Sequence, residues 1–170
     1  MLEANEYLSV IGEELPLRIP MVSLTDLPER IRGKHVMHCG GYGVAFQKDF
    51  LTKKGVCPVV YLVRNGRMTK LLRSCKAKMT ETQYRSLLAY VKPNLGEFVD
   101  KESGAVSKRR FYDEREWRYV PTWWINGEES QKTIEYLTFK LEDIRKVFVG
   151  IKEEKAELKN LYPALEIETI

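Results

Sequence analysis

Residues 111–120, FYDEREWRYV, mix charged and aromatic side chains in one short segment, and the interpretation of the fold depends on them. If the segment is a strand, alternation places Glu114, Glu116 and Arg118 on one face and Trp117 on the other. Charged side chains are costly to bury unless they are paired, and the aromatic density argues against simple exposure to water. The segment therefore predicts a strand whose charged face forms an ion-pair network or lines a polar cavity.

Glu114 and Glu116 form a Glu-x-Glu pair, and they are the candidate catalytic residues. On a strand their carboxylates would lie about 7 Å apart, so one could raise the pKa of the other toward the range used in acid–base catalysis. The same residues could instead form a salt-bridge network with Arg118 that fixes the sheet. Both interpretations stay open at this point. In either case we expect Glu116 and Arg118 to be at least half buried and paired, in part with residues 19–48.

The composition is that of one folded domain with a substantial core, because 44% of the 170 residues are hydrophobic and 31% are charged. A formal net charge of +4 is small for a dedicated nucleic-acid-binding protein, so charge alone identifies no partner. No apolar run approaches the roughly 20 residues that a membrane span needs. The acidic N-terminus also lacks the pattern of a signal peptide. We therefore expect a cytoplasmic protein without membrane insertion.

The apolar residues switch between the periods of strands and helices, which predicts an α+β fold with a mixed β-sheet and helices packed on it. Strands are expected at 19–24, 42–46, 57–63, 111–120, 133–141, 145–150 and 165–170. Helices are expected near 27–38, 47–55, 68–90 and 152–161, the third with a break near 78–80, and loops at 92–98 and 99–110. We expect a single domain over residues 1–170, with residues 1–18 as a loosely attached arm.

Residues 64–78 form a basic segment that contains no Asp or Glu. On a helix, Arg67, Lys70 and Arg73 could contact phosphate groups of a nucleic acid or a nucleotide, and they are candidate binding residues. A three-residue step winds slowly around a helix, so the same pattern is also typical of a solvated charged surface.

The histidines and cysteines do not predict a metal site or disulfides. His35 and His38 are three residues apart on a predicted helix, but no cluster supplies further ligands. Cys39, Cys57 and Cys75 are odd in number and form no C-x-x-C pair, so neither a disulfide framework nor a zinc ribbon is indicated. We expect them to be small core residues in a reducing compartment, and we expect no cofactor.

Three separated blocks resemble the AbiGi family of abortive phage resistance proteins and, more distantly, DUF2971-type bacterial proteins. The blocks are IPMVSLTDLP at 19–28, YGVAFQKDF and KKGVCPVVYL within 38–62, and FYDEREWRYVP at 111–121. They occur in the order found in the family. The resemblance implies a bacterial or phage-borne cytoplasmic protein of phage defence. It also implies an antitoxin, because members of the family are described as antitoxins partnered with a nucleotidyltransferase-like toxin.

The resemblance also implies which residues matter. The matched positions are Thr25, Asp26 and Pro28 in the first block, Tyr42, Gly43, Phe46, Lys48, Pro58 and Tyr61 in the second, and Tyr112, Glu114, Glu116 and Arg118 in the third. Of these, the candidate binding residues are Thr25, Asp26, Tyr42, Tyr112 and Arg118.

Two features depart from the family pattern. Related sequences begin with a further segment that bears a His-aromatic-Ser/Thr motif, and Leu24 stands where the family often has an aromatic residue. A His-bearing first strand, a middle Ser/Thr and a late Glu resemble the layout of ADP-ribosyltransferases. A truncated sheet of that kind is therefore the more specific fold hypothesis, but an NAD-using enzyme would lack part of its site.

We therefore expect a phage-defence component that binds a macromolecular partner. The partner is expected to be a protein, either a toxin or a phage or host factor, and nucleic acid could bind through residues 64–78. The alternative is a degenerate transferase that uses NAD or a nucleotide. The sequence leaves open whether the chain is an enzyme, and it does not identify the partner or the oligomeric state.

Overall fold

The computed structural model describes residues 2–3, 18–28, 40–99, 104–127 and 135–170. The strands are β1 Leu2–Glu3, β2 Arg18–Ile19, β3 Val22–Thr25, β4 Gly43–Phe46, β5 Cys57–Pro58, β6 Val60–Leu62, β7 Val91–Pro93, β8 Leu95–Val99, β9 Val106–Arg110, β10 Glu116–Tyr119, β11 Ile144–Val149 and β12 Ile167–Thr169. The helices are α1 Lys48–Lys53, α2 Arg67–Cys75, α3 Glu81–Leu88, α4 Thr122–Ile125 and α5 Lys152–Leu161. Short 3-10 helices are Lys76–Lys78, Phe111–Glu114 and Leu141–Asp143. The predicted α+β class is confirmed.

The chain groups into two compact units. The first unit comprises residues 1–26 and 56–136, and the second comprises residues 27–55 and 137–170. The single-domain organisation over 1–170 stays a prediction. Residues 29–38 of the helix predicted at 27–38 and most of the predicted arm at 1–18 lie outside the described residues, and residues 27–28 are not helical.

β10 is the central strand of a three-stranded antiparallel sheet in the first unit. It pairs with β3 on one side, where Glu116 lies opposite Thr25, and with β5 on the other, where Arg118 lies opposite Cys57. β6 and β7 form a parallel pair in which Tyr61 lies opposite Lys92. β8 and β9 form an antiparallel hairpin, and β1 pairs with β2. The charged segment identified in the sequence thus supplies the middle strand of its sheet.

Two clusters of buried side chains form the core of the first unit. One contains Leu62, Tyr84, Leu88 and Val91, with Leu72 of α2 packed against it. The other contains Ile19, Ala89, Val120 and Trp124. α3 contributes to the first cluster from a helix that begins with a capping box, in which the Thr80 and Gln83 side chains each bond the other's backbone N–H.

The second unit is built on a mixed three-stranded sheet in the order β12, β11, β4. β11 runs parallel to β12 and antiparallel to β4, with a register shift between Ile144 and Lys146. α5 connects β11 to β12, as a parallel connection requires. An aromatic pair joins β4 to the segment before β11, because the rings of Phe46 and Phe139 meet edge to face at 4.9 Å.

The prediction of an unbroken strand over 111–120 is wrong in its first half. Residues Phe111–Glu114 form a 3-10 helix, Arg115 has a left-handed backbone with φ of 46°, and the strand begins at Glu116. Two contacts hold the turn: the Phe111 N–H donates to the Asn94 carbonyl, and the Asp26 N–H donates to the Arg115 carbonyl. Asp113 and Glu114 are also poor strand formers, so local preference did not oppose the turn.

Other sequence predictions failed where pairing between distant segments outweighs local composition. Residues 92–98 and 99–110 were expected to be loops, but β8 and β9 pair there because Gly96 lets the hairpin approach the ring of Phe111. Residues 135–140 of the expected strand at 133–141 have no regular structure. By contrast, the helix expected at 68–90 with a break near 78–80 is confirmed, as two helices separated by residues 76–80. The predicted strands at 19–24 and 57–63 are each split, whereas the helix at 152–161 is confirmed.

Candidate functional site

The centre of the candidate site is an ion pair between two residues of β10. The Arg118 Nε donates to Glu116 Oε1 at 2.7 Å and its Nη2 donates to Oε2 at 3.2 Å, while Nη1 donates to the Ala89 carbonyl at 2.6 Å. The pair is deeply buried, with Arg118 0% and Glu116 4% exposed. Residues two apart on a strand share a face, so β10 itself brings the two charges together. The prediction that both are buried and paired is confirmed.

Lys92 of β7 links both carboxylates of the Glu-x-Glu pair. Its Nζ lies 2.5 Å from Glu114 Oε2 and 2.8 Å from Glu116 Oε2. It also lies 4.8 Å from the centre of the Phe111 ring, a cation–π distance. Arg109 of β9 adds a second cation to Glu114 at 3.2 Å. Glu114 ends the 3-10 helix and Glu116 begins β10, with the left-handed Arg115 between them. Their carboxylates nevertheless contact the same lysine.

β3 and β6 complete the network with neutral groups. The Ser23 hydroxyl donates to Glu116 Oε1, and the Thr25 hydroxyl donates to the Glu114 carbonyl. The backbone N–H of Glu116 donates to the Tyr61 hydroxyl at 2.8 Å. Tyr112, a predicted binding residue, is 54% exposed and meets the Tyr61 ring edge to face at 5.6 Å. The predicted link between β10 and residues 19–48 is therefore made by Ser23.

Burial and pairing act in opposite directions on the Glu116 carboxyl. Burial raises its pKa, but the hydrogen bonds and charges of Arg118 and Lys92 outweigh that effect and lower the pKa to about 2. A general base needs a pKa near the working pH. The expectation that one carboxylate raises the pKa of the other is wrong for Glu116, because two cations neutralise the pair. The network therefore suits a structural role better than proton transfer.

Sequence reasoning missed Lys92, Ser23 and Arg109. Lys92 had a readable signal, because it stands between Val91 and Pro93 in an apolar stretch where a lone charge needs a partner. Ser23 had a weaker one, since it alternates with Thr25 on a short strand. Arg109 was assigned to a loop, so its pairing could not be expected.

The remaining candidates lie elsewhere. Tyr42 belongs to the second unit, is 64% exposed, and donates from its hydroxyl to Glu154 Oε1 at 3.1 Å, which raises the Tyr42 pKa. Asp26 is exposed and holds the turn through its backbone. Arg67, Lys70 and Arg73 are exposed on α2.

Metal and thiol chemistry find little support in the described part of the chain. No group of three or more His, Cys, Asp or Glu there could hold a metal ion, and His35, His38 and Cys39 lie outside it. Cys75 is half-buried, but the expectation of a core position is wrong for Cys57, which is exposed on β5. None of the helices in the described ranges is long and apolar enough to cross a membrane.

The comparisons with known proteins agree on one family. The family model described as "Putative abortive phage resistance protein AbiGi, antitoxin" matches residues 15–147. A relative named "Abortive phage resistance protein AbiGi", from Lactococcus lactis subsp. cremoris, is 29% identical over 169 residues. That alignment covers 84% of this chain but 66% of the relative, so the chain spans just under two thirds of the relative's length. No solved structure matches. Because the family model matches well over half of this chain, the chain belongs to the AbiGi family.

Proposed function

We propose that the chain acts in abortive phage infection as an antitoxin-like component of the bacterial cytoplasm. In this proposal it works by binding a macromolecular partner, and it has little or no catalytic activity of its own. The expected partner is a protein, either a toxin or a phage or host factor. Membership of the AbiGi family supports the link to phage defence.

One observation supports the binding mechanism: both carboxylates of the Glu-x-Glu pair are already paired with cations of the chain itself. Both Glu116 oxygens accept hydrogen bonds from Arg118, and Lys92 and Ser23 donate to the same carboxylate. Glu114 is paired with Lys92 and Arg109. A carboxylate whose charge is already neutralised by internal cations is poorly placed to polarise a substrate or accept its proton. The network therefore favours a scaffold that presents a binding surface over a transferase site.

The proposal is tested by separating protection, binding and turnover. Cells that carry the chain together with the protein encoded beside it are challenged with phage, and the tagged chain is used to capture that co-encoded protein. Purified chain is incubated in parallel with NAD. The variant Glu114→Gln removes one charge of the candidate catalytic pair while leaving the Arg118–Glu116 pair in place. Lys155→Glu, on an exposed position of α5, serves as the control for a surface charge change.

The expected result is capture of the co-encoded protein by the wild type and by Glu114→Gln, with no consumption of NAD. Robust NAD consumption that Glu114→Gln abolishes, with no protein captured, would overturn the proposal in favour of the transferase. A failure to alter phage yield in the presence of the co-encoded protein would contradict the role in abortive infection.

A further inference from the structure

The basic helix α2 has a fixed orientation in the first unit. Thr69 is fully buried, and its hydroxyl donates to the Val63 carbonyl at 2.7 Å. Leu72, three residues on, packs against the buried cluster that contains Leu62 and Tyr84. Because residues three and four apart share one face of a helix, these contacts turn Arg67, Lys70 and Leu71 outward and leave Met68, four residues before Leu72, at the exposed edge of the packed face. The outward residues therefore form a defined surface.

That surface combines apolar and cationic side chains. Met68 and Leu71 are 62% and 59% exposed, although they lie on a helix whose other face is packed in the core. Arg67 and Lys70 are exposed beside them: Arg67 lies three residues from Lys70 and four from Leu71, and Lys70 directly precedes Leu71. We call residues 67, 68, 70 and 71 the α2 surface. Its helix is nine residues long, or about 13 Å, which suits two to three turns of a partner helix.

The cations of the α2 surface have no acidic partner in the described part of the chain. Residues 64–78 contain no Asp or Glu, so no i,i+4 pair within the segment can neutralise them. The ion pairs found in the described ranges involve Lys92, Arg109, Arg110, Arg118, Lys140 and Lys146, and neither Arg67 nor Lys70 is among them. Uncompensated positive charge attracts a negatively charged partner and raises its association rate.

Met68 and Leu71 indicate whether the negatively charged partner is a nucleic acid or an acidic protein. Interfaces with nucleic acid are polar and strongly cationic, and phosphate contacts need no exposed Met or Leu. The centres of protein interfaces are apolar, and they are enriched in Met and Arg. Amphipathic helices bind through apolar residues at helical spacing, with charged residues beside them. The α2 surface, with Met and Leu beside Arg and Lys, has the composition of a protein interface.

We propose that the α2 surface docks an acidic amphipathic segment of a protein partner, in which apolar residues at helical spacing are flanked by Asp and Glu. The partner's apolar residues cover Met68 and Leu71, and its carboxylates pair with Arg67 and Lys70. This inference rests on the proposed function, because it assigns a surface to the binding of the partner.

The test measures affinity for two kinds of probe. The probes are the co-encoded protein and, separately, a mixed-sequence DNA duplex and a single-stranded RNA. The variants are Arg67→Glu with Lys70→Glu, and Met68→Ser with Leu71→Ser. Matched controls on α5 are Lys152→Glu with Lys155→Glu, which repeats the three-residue spacing, and Leu161→Ser, at a side chain that is 65% exposed. Thermal melts check that each variant is folded.

A carbodiimide cross-linker then tests directly whether Lys70 contacts a carboxylate of the co-encoded protein. It joins an amine to a carboxylate only where the two are in contact, so Lys70 should be linked to Asp or Glu of the co-encoded protein and identified by mass spectrometry. Lys152 and Lys155 should form no such link.

We expect each α2 double variant to weaken binding of the co-encoded protein by at least about tenfold, with the controls unchanged. Added salt should weaken binding of the wild type but no longer weaken binding of the charge variant, in which the contact is repulsive. Binding that both α2 variants leave unchanged would overturn the inference while the proposed function stands. Loss of DNA or RNA binding in the charge variant, with the Met68 and Leu71 variant still binding the co-encoded protein normally, would assign the surface to nucleic acid. If the wild type binds no co-encoded protein, the inference fails; if it also leaves phage yield unchanged, the proposed function fails with it.

Discussion

The two units of the molecule contain the same small motif in different surroundings, a lysine bridging two glutamates spaced as Glu-x-Glu. In the first unit, Lys92 lies 2.5 Å and 2.8 Å from the carboxylates of Glu114 and Glu116. In the second, Lys146 lies 2.6 Å and 2.8 Å from the carboxylates of Glu166 and Glu168. The distances are almost equal, so distance alone does not distinguish the two triads.

Burial distinguishes them. The side chains of Lys92, Glu114 and Glu116 are 8%, 19% and 4% exposed. Those of Lys146, Glu166 and Glu168 are 15%, 61% and 38% exposed. Exposed ion pairs contribute about 0–1 kcal/mol, whereas breaking a buried pair costs about 3–5 kcal/mol because it leaves a charge without a partner in a medium of low polarity. The same motif should therefore be a core element in one unit and a surface detail in the other.

The largest effect is expected from Arg118→Met. The substitution removes three hydrogen bonds, two to Glu116 and one to the Ala89 carbonyl, and leaves a buried carboxylate with fewer partners. We expect a loss of about 3–5 kcal/mol in the free energy of unfolding, measured by urea denaturation. Arg110→Met is the control, because that side chain is 66% exposed and has one long ion pair. Equal urea midpoints for the two variants would mean that the Arg118 pair contributes no more than a surface pair.

The next effect is the pH dependence that Glu116 brings. Its folded pKa is lowered from 4.5 to about 2, so its contribution is fully present above pH 4.5 and is lost as the pH falls toward 2. The shift corresponds to a free energy on the order of 3 kcal/mol. Urea unfolding at neutral pH and at two pH values inside this window should show Glu116→Gln less stable at neutral pH, with the gap to the wild type narrowing on acidification. A gap that stays constant with pH would contradict the lowered pKa.

The most direct comparison substitutes the two lysines in turn. Lys92→Met leaves Glu114 with Arg109 and Glu116 with Arg118, so we expect a loss of about 2–3 kcal/mol, less than for Arg118→Met. Lys146→Met should give a much smaller change in the urea midpoint, because the side chains of Glu166 and Glu168 are 61% and 38% exposed to solvent. Raising NaCl from about 0.1 M to about 1 M should reduce the small Lys146 effect and leave the Lys92 effect nearly unchanged, because salt screens exposed charges most strongly. Equal effects of the two substitutions would remove burial as the explanation.

The comparison also explains how much of the candidate site could be predicted. A charged strand among aromatic residues must pair its charges if it is buried, so the burial of Glu116 and Arg118 followed from the sequence. The sequence did not indicate which residue on another strand would pair with Glu116. Ser23 and Glu116 are 93 residues apart, and only the antiparallel pairing of β3 with β10 brings them together. The catalytic interpretation of the Glu-x-Glu pair depended on that missing information, because the pKa of Glu116 is decided by Arg118 and Lys92.

The sequence by itself determined the features that depend on neighbouring residues: the α+β class, the helix over 152–161, the strand near 145–150, and a charged strand that requires partners. Local periodicity and the cost of an unpaired charge are enough for these. Only the tertiary structure decided the identity of the cation shared by Glu114 and Glu116, the left-handed turn at Arg115, and the hairpin of β8 and β9. Each of these depends on contacts between segments far apart in the chain. Such contacts override the weak local preferences of polar residues, and no local pattern encodes them.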